Sequence, residues 1–178
     1  IVDMIVIFKK EWSAYGAPVY GLLEGLFLGG ISAMFNNLFK DKAPFLVVQA
    51  VLLTFGVVIA MLILYRTRII KVTNTFRTVV ISATMGIAIF YVLALVLRFF
   101  NIDIPFIHEG STLGIVFSLV VGGIAALNVV LDFDMIERGA QAGAPKYMEW
   151  YAAFGLMVTI VWLYLEILRL LAKLNSRR

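Results

Sequence analysis

The sequence predicts an all-α membrane protein, a polytopic bundle of transmembrane helices. Of the 178 residues, 62% are hydrophobic and only 15% are charged, which leaves too little polar surface to cover a water-soluble globule of this size. The apolar residues are gathered into runs of roughly 20 or more, the length at which a helix spans about 30 Å of hydrocarbon. We therefore expect one transmembrane domain over residues 1–178.

The chain begins with an apolar stub at residues 1–8, which Lys9 and Lys10 close. It is too short to span alone and is expected to be the end of a helix whose upstream part is missing. Five full spans are predicted after it, at residues 15–39, 44–65, 79–99, 113–131 and 149–171.

Polar and turn-forming residues separate the five spans in order. The first break is Lys40-Asp41-Lys42, the second is Arg66-Thr67-Arg68, and the third runs from Asn101 to Gly110 with Pro105 inside it. The fourth, residues 137–146, is the longest polar stretch and contains glycine and proline, which favour turns.

The basic residues indicate an orientation rather than a nucleic-acid surface, because they are scattered between apolar runs and form no single stripe. If the chain changes sides at each span, one side receives Lys9, Lys10, Arg66, Arg68, Lys71, Arg77, Arg138 and Lys146, and the other receives Lys40, Lys42 and Arg98. The positive-inside rule makes the first group cytoplasmic. The basic tail after residue 168 then lies outside and argues weakly for the reverse.

Composition and motifs exclude several classes of site. There is no cysteine, so disulfides, thiolate metal sites and thiol nucleophiles are excluded, and one histidine, His108, is too few for a polyhistidine metal site. No hydrolase elbow, zinc-protease motif, P-loop or dinucleotide fingerprint occurs. We expect no enzyme and no cofactor.

Two predicted helices carry small residues at four-residue spacing. One has Gly21, Gly25 and Gly29, and the other has Gly114, Ser118, Gly122 and Ala126. Small residues let neighbouring backbones approach closely. Packing within the chain is favoured over a dimer motif.

Four carboxylates lie within or at the ends of apolar spans, where each costs several kcal/mol unless it is paired, protonated or hydrated. Glu24 lies on the glycine-bearing helix and is expected to face a helix contact. Asp132 and Asp134 close the fourth span, and Asn128, one turn before Asp132, continues a polar face that would line a cavity. Solvation is an equal alternative for Asp134. An ion pair with Arg169 is the simplest account of Glu166.

Three segments resemble the Bax inhibitor-1/YccA-like membrane proteins, most closely their bacterial branch. They read LDFDMIE at 131–137, EWYAAFGL at 149–156 and WLYLEILRLL at 162–171, and LEGL at 23–26 is similar to an early helix of that family. The resemblance implies a seven-span fold of which this chain would lack the first helix and part of the second. It also implies a bacterial plasma-membrane location.

The same resemblance implies a proton-sensitive calcium leak, in which an acid ending the sixth helix and an acid on the seventh share a proton and gate a pore. Asp132 matches the first acid when Ile136 takes the place of the family's isoleucine, and Asp134 then replaces a glutamine. Matching Tyr164-Leu165-Glu166 makes Glu166 the second acid, whereas matching the arginine at 169 puts Thr159 there.

These matches give the predicted site: a pH sensor and ion pathway of Asp132, Asp134, Glu166 and Glu24, in which Asp132 and Glu166 would bind calcium as the permeant ion. Nearby carboxylates titrate together and bind a hard cation when ionised. The expected partners are the lipid bilayer and calcium ions or protons. The alternative is a regulatory scaffold without transport, which binds other membrane proteins or proteases through its helix surfaces.

Overall fold

The computed structural model describes residues 9–40, 42–100 and 112–176. Within these ranges a 3-10 turn at Lys10–Trp12 leads into five α-helices, and there is no strand. The helices are α1 (Ser13–Leu38), α2 (Leu46–Arg66), α3 (Asn74–Phe99), α4 (Thr112–Gln141) and α5 (Tyr147–Ser176). All five are long and apolar enough to cross a membrane. The predicted all-α membrane fold is confirmed at this level, and the predicted stub at residues 1–8 lies outside the described residues.

Three helices extend well past their predicted spans, α3 at its start and α4 and α5 at their ends. α3 begins at Asn74, because the Thr73 hydroxyl caps it by accepting a hydrogen bond from the Phe76 amide at 3.1 Å. α4 continues through the first half of the polar stretch to Gln141. Hydropathy marks the depth of the hydrocarbon, whereas a helix ends where its backbone is capped. Gly143, two residues after the end of α4, has a φ of +63°, which glycine adopts without strain.

The last helix, α5, lies at the centre of the bundle. It packs against α1, α2 and α4, and α4 in turn contacts α2 and α3. Three buried clusters form along α5: Leu46, Ala50, Tyr164, Leu168 and Ala172 against α2, Ala125, Ala126, Val129 and Leu163 against α4, and Ala17, Tyr20 and Phe154 against α1. The buried core therefore lies around α5.

Contacts across the bundle show that helices consecutive in the chain alternate in direction. The Ser13 hydroxyl donates to the carbonyl of Tyr147 at 2.8 Å, which joins the starts of α1 and α5. At the other end, Lys173 near the end of α5 donates to the carbonyl of Gly114 near the start of α4. We call the end that holds Arg66, Arg77 and Arg138 the basic end, and the other the distal end.

The two small-residue ladders behave differently. The α4 ladder faces α5, as expected for packing within the chain: a Cβ on Gly122 would lie 3.9 Å from the Cβ of Glu166. In α1, a Cβ on Gly21 would lie 3.3 Å from Met157 of α5, whereas Gly25 and Gly29 have no described atom within 4 Å of that position. Within the part of the chain that the structure describes, the expected close contact along the α1 ladder is therefore found at Gly21 and not at Gly25 or Gly29.

Candidate functional site

Glu166 is buried at the centre of the bundle and ion-paired. Its side chain is 2% exposed, and Oε1 accepts hydrogen bonds from Arg169 Nη1 at 2.8 Å and from the Tyr91 hydroxyl at 3.1 Å. Arg169 Nη1 also donates to that hydroxyl at 2.6 Å. The predicted pair with Arg169 is thus present. Tyr91, which lies in the apolar third span, was not anticipated from the sequence.

Lys173 lies one turn beyond Arg169 on α5 and is also buried. Its ammonium group donates to the Gly114 carbonyl at 3.0 Å and to the Ser118 hydroxyl at 2.8 Å. The small-residue ladder of α4 therefore accommodates a charged stripe on α5. Sequence reasoning treated Lys173 as a tail charge, although its four-residue spacing from Arg169 could have placed both on one face.

Asp132 is half-buried where α4 meets the first half of α5. Its Oδ1 lies 4.0 Å from the position that a Cβ on Gly155 would take, so the absence of a side chain there leaves room for the carboxylate. The Thr159 hydroxyl interacts with the same carboxylate and also donates to the Gly155 carbonyl at 3.1 Å. Thr159 therefore stands opposite Asp132.

Asp134 faces the basic end and belongs to an ionic network. Its Oδ2 accepts from Arg77 Nη2 at 2.6 Å and from Arg138 Nε at 2.8 Å. Since its side chain is only 9% exposed, Asp134 is a paired group rather than a freely solvated one. Glu137, which immediately precedes Arg138 on α4, accepts a hydrogen bond from the Tyr65 hydroxyl.

The remaining predicted polar groups are Glu24 on α1 and Asn128 on α4. Glu24 is half-buried in α1. Asn128 turns away from Asp132 and donates instead to the Thr84 hydroxyl of α3 at 2.7 Å and to the Ile124 carbonyl at 2.9 Å. The polar face that was expected to run from Asn128 to Asp132 is therefore split between two helix contacts.

The structure does not bring Asp132 and Glu166 together. Glu166 contacts the level of Gly122 on α4, and Asp132 lies ten residues further along that helix, about 15 Å at 1.5 Å per residue. The buried cluster of Ala125, Ala126, Val129 and Leu163 lies between the two levels. We call this cluster the apolar layer.

Both carboxylates nevertheless share an unusual property. Among the described residues, Asp132 Oδ2 and Glu166 Oε2 are the buried side-chain nitrogen or oxygen atoms that lack a hydrogen-bond partner. Buried polar atoms are normally paired, and leaving one unpaired costs about 1–3 kcal/mol or more for a charged group. Each oxygen is thus a place where a proton or a cation would be stabilised.

The described residues contain no group of three or more histidine, cysteine, aspartate or glutamate side chains that could hold a metal ion. Asp132 and Glu166 each offer one carboxylate, at separate levels. This arrangement suits successive, weak contacts with a moving cation better than one multidentate calcium cage, which takes six to eight oxygen ligands.

Comparison with known proteins identifies the family. No curated protein and no solved structure matches the chain significantly. A family model described as Bax inhibitor 1 like matches residues 1–176, which is nearly the whole chain. On that match, and with five helices able to cross a membrane, this multi-pass membrane protein belongs to the Bax inhibitor 1 like family.

Proposed function

We propose that the protein is a proton-sensitive cation leak, with calcium as the permeant ion and Asp132 and Glu166 as the two levels of its pathway. The observation that carries the proposal is that, in the part of the chain that the structure describes, the buried side-chain polar atoms without a hydrogen-bond partner are one oxygen of each of these carboxylates. Such an oxygen is satisfied by binding a proton or by contacting a cation, so the two ligands compete for it.

The apolar layer gives this arrangement the form of a closed pathway. Val129 and Leu163 are at most 1% exposed, so a cation that leaves Asp132 meets tightly packed aliphatic groups before it reaches Glu166. A bare cation is not stabilised in such surroundings. Conduction requires α5 to shift against α4, and protonation of either carboxylate alters the forces that hold the two helices in register.

The groups around each carboxylate differ, which gives them different roles. Glu166 faces the positive charge of Arg169 and the hydroxyl of Tyr91, and Lys173 lies one turn beyond Arg169 on α5. Asp132 faces the uncharged Thr159 and Gly155. We assign Asp132 as the proton-responsive group that meets the ion first. We assign the ion pair of Glu166 and Arg169 as the interaction that keeps the pathway closed at the second level. This assignment does not need a shared proton between them.

The test is calcium uptake into dye-loaded proteoliposomes across about pH 5 to 8, the range that buried carboxylates reach. Uptake by the unchanged chain is expected to vary with pH, and Asp132→Asn is expected to remove that variation. The matched control is Glu149→Gln, which removes an exposed carboxylate at the start of α5 and is expected to keep the pH response. A pH response retained by Asp132→Asn would refute the assignment.

Absence of uptake in every sample, with protein insertion verified, would instead favour the regulatory scaffold. That function predicts specific co-purifying membrane proteins and no flux. Residence in a bacterial plasma membrane belongs to the same proposal, as does the cytoplasmic placement of the basic end, which follows the positive-inside rule.

A further inference from the structure

We propose that the basic end carries a binding site for the phosphate of an anionic phospholipid, in the cavity between the α2–α3 turn and the end of α4. The cavity has a volume of about 550 Å³, enough for a lipid headgroup. Its basic lining residues are Arg66, Arg68, Lys71 and Arg138. This site is separate from the carboxylate pathway and does not depend on ion conduction.

The anionic residues of the cavity are already satisfied by the protein. Asp134 is bound by Arg77 and Arg138, and Glu137 accepts hydrogen bonds from Tyr65 and Gln141. Arg66, Arg68 and Lys71 form no ion pair with any residue that the structure describes. The cavity lining thus carries four basic and two acidic side chains, and three of the basic ones have no ion-pair partner in the described part of the chain.

The backbone supports a binding role for Arg68. Its φ is +58°, the left-handed region, and it is the one non-glycine residue with positive φ in the described part of the chain. Side chains with a Cβ adopt this conformation at a cost, which glycine or asparagine avoids. The turn is fixed by the Arg68 amide, which donates to the Tyr65 carbonyl at 3.0 Å. A guanidinium is thus held beside the cavity at a position where the backbone favours glycine.

A lipid, rather than a free anion, fits the surroundings of the cavity. It opens at the end of a membrane-spanning helix, the depth at which lipid phosphates lie. Ile69 is 71% exposed and stands between the basic residues of the turn, and Ile63 on the last turns of α2 is 55% exposed. These apolar side chains would contact the upper acyl chain while Arg68 and Lys71 bind the phosphate, for which arginine provides two parallel donors.

The experiment is native mass spectrometry of the full chain in a neutral detergent, titrated with dioleoyl phosphatidylglycerol, dioleoyl phosphatidylcholine or inorganic phosphate. The test variant is the pair Arg68→Gly and Lys71→Gln, and the matched control is the pair Lys40→Gln and Lys42→Gln, which removes equal charge at the distal end. Glycine takes the positive φ without strain, so the test variant is expected to melt no lower than the unchanged chain.

We expect one tightly bound phosphatidylglycerol, with an affinity that falls about 25-fold in the test variant, about fivefold for each basic side chain, and holds in the control. Equal losses in both variants would reduce the effect to general charge attraction and overturn the site. Inorganic phosphate that binds as tightly as phosphatidylglycerol would overturn the lipid as occupant. An unchanged affinity in the test variant would overturn the proposal altogether.

Discussion

Replacing Arg169 with methionine tests whether Glu166 is ionised in the folded protein. Glu166 is 2% exposed and its charge is balanced by Arg169 at 2.8 Å. Removing one partner of a buried ion pair costs about 3–5 kcal/mol, because the other charge stays buried without compensation. Since Arg169 is 38% exposed, water screens part of the interaction, and we expect a smaller loss of about 2–3 kcal/mol in the free energy of unfolding.

The partner substitution and the double variant isolate the interaction. Glu166→Gln keeps an acceptor for Tyr91 and removes the charge, so its expected cost is about 1 kcal/mol. In the double variant no unpaired charge remains at this site, and the total cost is expected to be near 1.5 kcal/mol, which gives a coupling energy of about 2 kcal/mol. The measurement is reversible unfolding in mixed micelles, followed by far-ultraviolet circular dichroism as the denaturing detergent is increased.

The reasoning has a clear refutation. If Glu166 is neutral in the folded state, Arg169→Met leaves no buried charge, and its effect will be no larger than that of Arg98→Gln, an exposed arginine on α3 expected to change stability by less than about 0.5 kcal/mol. Additive single effects would likewise show that the two side chains are not coupled. Either result would contradict the closing role assigned to the pair of Glu166 and Arg169.

Two further expectations concern the α4–α5 interface. Leu163→Ala opens the apolar layer and is expected to raise calcium leak at every pH. The pH response should be kept, because the substitution widens the path without changing a carboxylate. The check is the same proteoliposome uptake, and reduced or unchanged leak would show that the layer is not the barrier. Gly122→Leu is expected to lower stability by about 2 kcal/mol or more through overpacking against Glu166, whereas Gly25→Ala, with open space around it, should raise it by about 0.5–1 kcal/mol. Unfolding measured in mixed micelles compares the two, and equal effects would contradict the packing described for the α4 ladder.

The number and order of the spans could be predicted from the sequence, and their contacts only in part. Hydropathy alone located five helices, since a run of roughly 20 apolar residues has few other uses. It could not show which side of each helix faces the protein, because lipid and core select the same side chains. For that reason the glycines of α1 predicted a close helix contact, which the described residues show at Gly21 and not at Gly25 or Gly29. The packing of the α4 ladder within the chain was predicted correctly.

The pairing of the predicted acids shows the same limit. Two registers were open on α5, one with Glu166 and one with Thr159 opposite Asp132. The structure puts Thr159 and Gly155 beside Asp132, and Glu166 lies two turns beyond Thr159 on α5. A residue-to-residue match along one helix does not fix its axial position against another. Only the packing of Glu166 on Gly122 and of Lys173 on Ser118 fixes it, and neither contact can be read from spacing alone.

The central position of α5 also bears on how the protein is made. Helices leave the ribosome in chain order, so α1, α2 and α4 enter the bilayer before the helix around which they pack. Until then, the carbonyl of Gly114 and the hydroxyl of Ser118 lack the ammonium group that they later accept from. α5 itself brings Glu166, Arg169 and Lys173 into the membrane. Hydrogen bonds to the helices that are already inserted offset the free-energy cost of burying these charged groups. Its entry is therefore the step that turns a set of separately inserted helices into a single cooperative bundle.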